Sequence, residues 1–261
     1  MNTNVLAIFL FFCIASLVFT MCASGSENET RVIEYEDFEH NLLVFTKTEG
    51  WRHDSIEAGI EAVMKLGQEN GFSLTLTEDN SYFTPSNLSR YDAVLFLNTT
   101  LTVFDDEHRE AFKEYIQNGG GFAGVHSATD TEYDWPWYGE LVGAWFDNHP
   151  NNPNVREAVI DVVNPDHPAT SMLPERWQRS DEWYNFGYMN ENVNVLLKLD
   201  TDSYSGSDHP GNHPIAWYHE FDGGRVFYTG LGHTRESYSE ELFLRHLLGG
   251  LKYAMGIEES P

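Results

Sequence analysis

Three histidines, His53, His126 and His233, each follow a short apolar, strand-like run and precede a polar turn. Taken singly, each is a loop imidazole bonded to a backbone carbonyl. Taken together they carry more weight, because a parallel sheet gathers the carboxyl ends of its strands along one edge, where ligands of open α/β sheets collect. Neutral imidazoles are common nitrogen ligands for Zn²⁺ and similar divalent ions. A catalytic site of that kind uses about three protein ligands and keeps a position for water or substrate. The spacing has no i, i+4 signature, and without a metal the same histidines could act as general acid and base.

A carboxylate is expected to join them. Asp181 and Glu182 are adjacent in an aromatic, strand-like segment, and adjacent strand residues point to opposite faces. Only one can face the site, and Glu182 is the expected ligand or base; the alternative is a solvated surface carboxylate. His213, just before Pro214, is a second candidate for moving protons. Ser127 directly follows His126, and the rings of Trp51, Tyr184 and Trp217 are of the kind that stack on sugar faces. The cluster of Asp202, Asp208, His209 and His219 lacks the Gly and Glu spacing of a calcium loop and reads as surface. His40, His108, His167 and His246 read as surface or packing residues.

Several chemistries are excluded. Both cysteines, Cys13 and Cys22, lie in the first 22 residues, so the folded part holds no disulfide, thiolate zinc site or cysteine nucleophile. Gly119-Gly120-Gly121 precedes a strand instead of opening a helix, unlike a phosphate-binding loop, and no Gly-x-Ser-x-Gly nucleophile elbow is present. The formal net charge of -26 opposes binding to nucleic acid or anionic lipid.

The elements that must position these residues follow from hydrophobic pattern. Asn41 to Thr46, Ala93 to Leu97 and Gly121 to Val125 read as strands buried on both faces. Between them, Ile56 to Leu66 has helical spacing, with Asp54 as the expected cap, Glu57 completing a capping box, and a stop at Asn70-Gly71. Ser73 to Thr77 alternates as a strand, and Asp105 to Asn118 reads as a second helix. Strand, helix and strand at these spacings predict a parallel sheet with right-handed crossovers. The second half predicts a short helix near Trp137 to Gly143. Strands follow at Val155 to Val163, Asp181 to Phe186 and Val193 to Leu199. A hairpin joins Pro214–Phe221 to Arg225–Gly230 around Asp222-Gly223-Gly224, and a closing helix runs from Ser239 to Met255. Residues 1–23 read as a secretory leader, with Cys22 a candidate for lipidation, and residues 24–40 as an acidic tether. One domain spans 41–256, with a tail at 257–261. The expected location is outside the cytoplasm, periplasmic or at the cell surface, with membrane attachment only through the leader or a lipid.

Several of these stretches together resemble the trehalose-utilisation (ThuA-like) family. They are Val44 to Ile56 (VFTKTEGWRHDSI), Gly124-Val125-His126-Ser127, Asp181-Glu182-Trp183-Tyr184, Pro214-Ile215-Ala216-Trp217, and Gly224 to Tyr228 with Gly232-His233. The resemblance implies a flavodoxin-like, class I glutamine-amidotransferase-like α/β fold, doubly wound and mostly parallel. Helices would cover both faces, with an antiparallel extension in the second half. Amidotransferases carry a catalytic Cys in the turn after the central strand; here that turn reads Val125-His126-Ser127, so their chemistry is not carried over. The family's shared polar positions fall on His53, His126, Glu182 and His233. The expectation is an exported carbohydrate-processing enzyme holding a divalent metal, Zn²⁺, through the three histidines. It would hydrolyse or eliminate a glycoside or keto-glycoside. The alternative is a non-catalytic sugar-binding or accessory subunit.

Overall fold

Apolar runs bounded by turn residues become strands wherever both of their faces are covered. In the computed structural model, which describes residues 30–33 and 38–257, the first half alternates strands with helices. It runs β1 (Arg31–Ile33), β2 (His40–Phe45), α1 (Ile56–Asn70), β3 (Phe72–Thr77), the one-turn α2 (Pro85–Leu88), β4 (Ala93–Leu97), α3 (Asp106–Gln117) and β5 (Gly121–Val125). The second half is mainly strand: α4 (Pro136–Val142), β6 (Ala144–Asn148), β7 (Val155–Val162), β8 (Arg176–Glu182), β9 (Asn185–Met189) and β10 (Asn194–Leu199). The β11 (His213–Phe221) and β12 (Gly224–Thr229) hairpin and helix α5 (Glu241–Met255) complete it.

One ten-stranded sheet has the order β1-β3-β2-β4-β5-β12-β11-β10-β7-β8, and β6 pairs with β9 separately. The block β3-β2-β4-β5-β12 is parallel, and every other pairing in the sheet is antiparallel. The sheet is therefore mixed, with an antiparallel half larger than the expected extension. Phe96 packs on Phe112 of α3 and Tyr138 of α4, while its neighbour Leu97 meets Gly59 of α1 on the other side. Helix α5 crosses β12 and β5 so closely that a side chain at Gly121 would strike the carbonyl of Ala254.

Some local expectations shift. Helix α1 ends on Gly71 in the left-handed region, but its N-cap is Ser55, with no side-chain cap bond. Asp54 instead pairs with Arg235, so the capping box does not form. The segment read as one strand from Asp181 to Phe186 is the end of β8, a corner at Trp183-Tyr184, and the start of β9. Arg31–Ile33, within the stretch read as a tether, pairs with β3 at the sheet edge. The leader and Cys22 lie outside the described residues. No described helix is long and apolar enough to cross a membrane.

Packing also sets a pH dependence. His246, fully buried in α5, bonds the Ala169 carbonyl through Nδ1 (2.8 Å) and Thr229 Oγ1 through Nε2 (3.1 Å). Burial pushes its imidazole down to about 4, so the folded protein refuses a proton that the unfolded chain accepts near 6.5. Stability is complete above pH 6.5 and falls as pH drops towards 4, by about 3 kcal/mol for this residue. Thermal unfolding between pH 7.5 and 4.5 should show a clearly shallower decline for His246→Gln than for the wild type.

Candidate metal centre

Register brings the first pieces to one edge. Leu97 lies opposite Val125, and Val125 opposite Thr229, so β4, β5 and β12 end level with each other. His126 follows β5 at once, with φ of 51°, a left-handed conformation that costs a non-glycine residue roughly 1–3 kcal/mol. The surroundings hold it there: its carbonyl accepts from the Tyr228 hydroxyl (2.7 Å) and Thr129 Oγ1 (3.2 Å). Its Nδ1 lies 3.0 Å from the Gly230 carbonyl, so Nδ1–H donates there and the Nε2 lone pair turns inward. His53, at the end of the loop after β2, places Nδ1 3.3 Å from Ser127 Oγ. Donation from Nδ1–H to Ser127 leaves its Nε2 free.

The three rings form a nearly equilateral triangle, with centroids 4.9 Å (His53–His126), 5.1 Å (His53–His233) and 5.0 Å (His126–His233) apart. Glu182, the last residue of β8, closes the group. His233 Nδ1 is 3.1 Å from both His126 Nε2 and Glu182 Oε2, and these two are 3.4 Å from each other. Ligands about 2.0–2.1 Å from a tetrahedral Zn²⁺ stand about 3.3 Å apart, which matches these separations. One ligand atom from each of His53, His126, Glu182 and His233 lies within 4.8 Å of the others, the one such group among the described residues.

Electrostatics agree with that donor set. Burial, then the neighbouring His126 and His233, push His53 down to about 2, so it is neutral across the working range, as a ligand must be. Burial would raise Glu182, but its bonds and charge interactions with His126 and His233 outweigh this and hold it well below the usual carboxylate range. Burial likewise disfavours the charged form of His233, and the Glu182 carboxylate overrides it, so His233 is raised. The buried carboxylate thus favours positive charge beside it, the condition a divalent ion would meet.

Sequence reasoning missed the residues that hold the ligands. Asp181, expected to face away, does so, and organises the site from behind. Its Oδ1 accepts from the His233 (3.1 Å) and Glu182 (3.0 Å) amides, and its Oδ2 from the Gly232 amide (2.9 Å) and Arg179 (3.1 Å). The outer oxygen of Glu182 accepts from Asn154 Nδ2 (2.7 Å) and faces His149 Nε2 at 3.5 Å. The one signal for Asp181 was its place beside Glu182 in a buried strand. Asn154 and His149 flank an aperiodic Asn/Pro segment that has none.

The other expected site residues divide. Ser127 is buried beside His53, and the Tyr184 ring lies 4.1 Å from that of His126. Trp51 is 73% exposed. His213 requires a correction: Nε2 bonds the Tyr184 carbonyl (2.8 Å), and Nδ1 faces the Tyr204 (2.8 Å) and Ser207 (2.9 Å) hydroxyls. With both nitrogens engaged and the ring buried, it braces the Tyr184 backbone and presents no free nitrogen. Trp217 is also corrected, from sugar platform to core: it is fully buried, stacks on Tyr228 at 4.4 Å and donates to the Val142 carbonyl.

The site is a His/Glu cluster at the edge of a mixed α/β sheet, with His126 in the turn after the central strand β5 where the resemblance to amidotransferases would call for a cysteine. The chain belongs to the ThuA family, described as trehalose utilisation, which matches residues 41–254. Its structure is similar to a ThuA-like protein of Bacteroides uniformis, at 24% identity and a TM-score of 0.73, over 87% of this chain and 95% of that one. A ThuA-like protein of Parabacteroides merdae aligns at 19% identity and a TM-score of 0.62, over 85% and 93% of the two chains. A β-galactosidase of Bacillus circulans shares the fold at 15% identity and a TM-score of 0.56, over 86% of this chain and 33% of that enzyme. No curated protein sequence matches the chain.

Proposed function

We propose that this protein is an extracytoplasmic, carbohydrate-processing enzyme that holds a divalent metal, Zn²⁺, through His53, His126, His233 and Glu182. Its reaction is hydrolysis or elimination of a glycoside or keto-glycoside. The observation that carries the proposal is the convergence of His126 Nε2, His233 Nδ1 and Glu182 Oε2 at 3.1–3.4 Å separations. Two imidazoles and a carboxylate are a donor set found in catalytic zinc sites, and His53 stands beside them as a fourth. The family's association with trehalose utilisation supports a sugar substrate, and the apolar leader at 1–23 supports export.

A bound ion would supply Lewis acidity to a sugar hydroxyl or carbonyl, or activate water. The protein's own part is orientation. Gly230 and Ser127 select the histidine tautomers, Asn154 and Asp181 fix the carboxylate and the His233 backbone, and the Tyr184 ring covers one side of His126 and excludes water from it.

Elemental analysis of the purified, dialysed protein should find about one divalent ion per chain. Turnover of a disaccharide or its keto form should stop on chelation and return with Zn²⁺. A protein without stoichiometric metal, whose turnover ignores chelators, would falsify the metal-dependent reading. Stoichiometric metal with sugar binding and no turnover would favour an accessory, sugar-presenting role.

A further inference from the structure

Three buried polar side chains, Ser55, Asn98 and Tyr238, meet where the histidine-bearing loops leave the core. Each comes from a different element. Ser55 is the N-cap of α1, two residues past His53; Asn98 follows β4; Tyr238 stands in the turn ahead of α5. They converge on one atom, the carbonyl of Gly232, the residue before His233. Ser55 Oγ donates to it at 3.3 Å, the Tyr238 hydroxyl donates at 3.1 Å, and Asn98 Nδ2 approaches at 3.5 Å. Asn98 Nδ2 also donates to Ser55 Oγ (3.1 Å), and its backbone amide donates to the carbonyl of Val125 (3.3 Å), the residue before His126. One asparagine therefore touches the chain beside each of the three histidines.

The peptide between Gly232 and His233 is gripped from both sides. Its carbonyl takes the three donors above, and its N–H donates to Asp181 Oδ1 at 3.1 Å. That fixes the plane from which the His233 side chain departs. Gly232 itself sits at φ of 104°, and a Cβ there would strike the Tyr238 hydroxyl and Val125 Cγ1, both at 2.9 Å. The grouping is costly to keep. Asn98 Oδ1 is buried with no partner among the described residues, which costs about 1–3 kcal/mol. The backbone at Asn98 has φ of 54°, in the left-handed region that Asn tolerates better than most residues. An apolar side chain would fill a sealed core without the first cost but would make none of these bonds.

We propose that Asn98, Ser55 and Tyr238 are positioning residues that set the placing of His53 and His233 about His126. None of them supplies a donor atom to the cluster. This rests on the metal-centre reading above and deepens it by assigning the groups that hold the imidazoles at ligand spacing.

The test uses the full chain with Tyr238→Phe, Ser55→Ala and Asn98→Gly, the last keeping the backbone conformation while removing the amide. Partners bonded directly to metal ligands are worth about ten- to a hundredfold in affinity, so each of these bonds, one step further out, should be worth about three- to tenfold for Zn²⁺. Competition with a zinc-responsive dye under native conditions measures this. The double variant Ser55→Ala/Tyr238→Phe should lose more than the product of the single losses, because the Gly232 carbonyl then keeps only the 3.5 Å contact from Asn98. Imidazole nitrogen NMR of the metal-free chain gives a second readout. The His126 and His233 ring signals should move in Tyr238→Phe, and that of the remote His219 on β11 should not. Variants that lose stability to denaturant yet keep wild-type zinc affinity and ring signals would overturn the positioning role and leave the metal centre standing. Ring signals that move in a protein whose wild type binds no zinc would support the positioning role and overturn the metal centre.

Discussion

His126→Ala should purify nearly metal-free, with affinity for Zn²⁺ reduced roughly a hundred- to a thousandfold. Structural zinc sites bind with about 10–16 kcal/mol, and an even share among four ligands is about 2.5–4 kcal/mol each. His126 merits this emphasis because it is the most constrained of the four, gripped at Nδ1 by Gly230 and at its carbonyl by Tyr228. The measurement is competition with a zinc-responsive dye. Retention of wild-type affinity would rule out His126 as a ligand. A companion variant exposes the backbone strain. His126→Gly loses the same ring but adopts φ of 51° freely, and should be more stable than His126→Ala by about 1 kcal/mol. If the two variants are equally stable, the left-handed turn stores no strain.

Asp181→Asn should be the most damaging substitution that touches no proposed ligand atom. Oδ1 receives two amide protons, from Glu182 and His233. Oδ2 receives the Gly232 amide and Arg179. Whichever way the new amide turns, its NH₂ faces donors. The buried Arg179, whose guanidinium otherwise lies against the Trp177 and Phe243 rings at 4.9 and 5.1 Å, loses the nearer of its two carboxylates and keeps only Glu240 at 3.5 Å. A cost of about 3–5 kcal/mol is expected from a broken buried pair. Folded protein that remains should bind Zn²⁺ about ten- to a hundredfold more weakly, because the His233 backbone is no longer anchored. Chemical denaturation gives the first number and metal titration under native conditions the second. Combining Asp181→Asn with Arg179→Met should recover part of the stability without restoring metal affinity. Full metal affinity in the folded Asp181→Asn protein would limit Asp181 to a structural role.

Much of the parallel half was legible because its signals are local. The run Gly121 to Val125 is apolar throughout and bounded by turn residues, as a strand covered on both faces requires, and it stops where His126 begins. The glycine after Asn70 ends α1 where the left-handed cap requires it. Asp222-Gly223 turns the β11–β12 hairpin with φ of 49° and 107°. Asp54 illustrates the limit: the helix begins one residue later than the cap pattern suggests, with Ser55 at its N-cap, and Asp54 pairs with Arg235 from the far end of the chain. Local sequence cannot register such a partner.

Placing His126 at a strand end needed only an apolar run and the rule that parallel strands finish on one side, whereas His53 and His233 reach the same edge on the loops after β2 and β12. Bringing Glu182 to them required the whole fold. From β5 to β8 there are five strand steps, about 24 Å across a flat sheet, yet Glu182 Oε2 lies 3.4 Å from His126 Nε2. The sheet must therefore curl, and it does so through twist and the irregular register of β10 against β11. Trp217 and His213, on β11, are buried, whereas Trp51 and Tyr133, on loops after β2 and β5, are exposed. Composition and pattern decided which residues could act and which strands carry them. Curvature, a sum of small twists over many residues with no local signature, decided which of them meet.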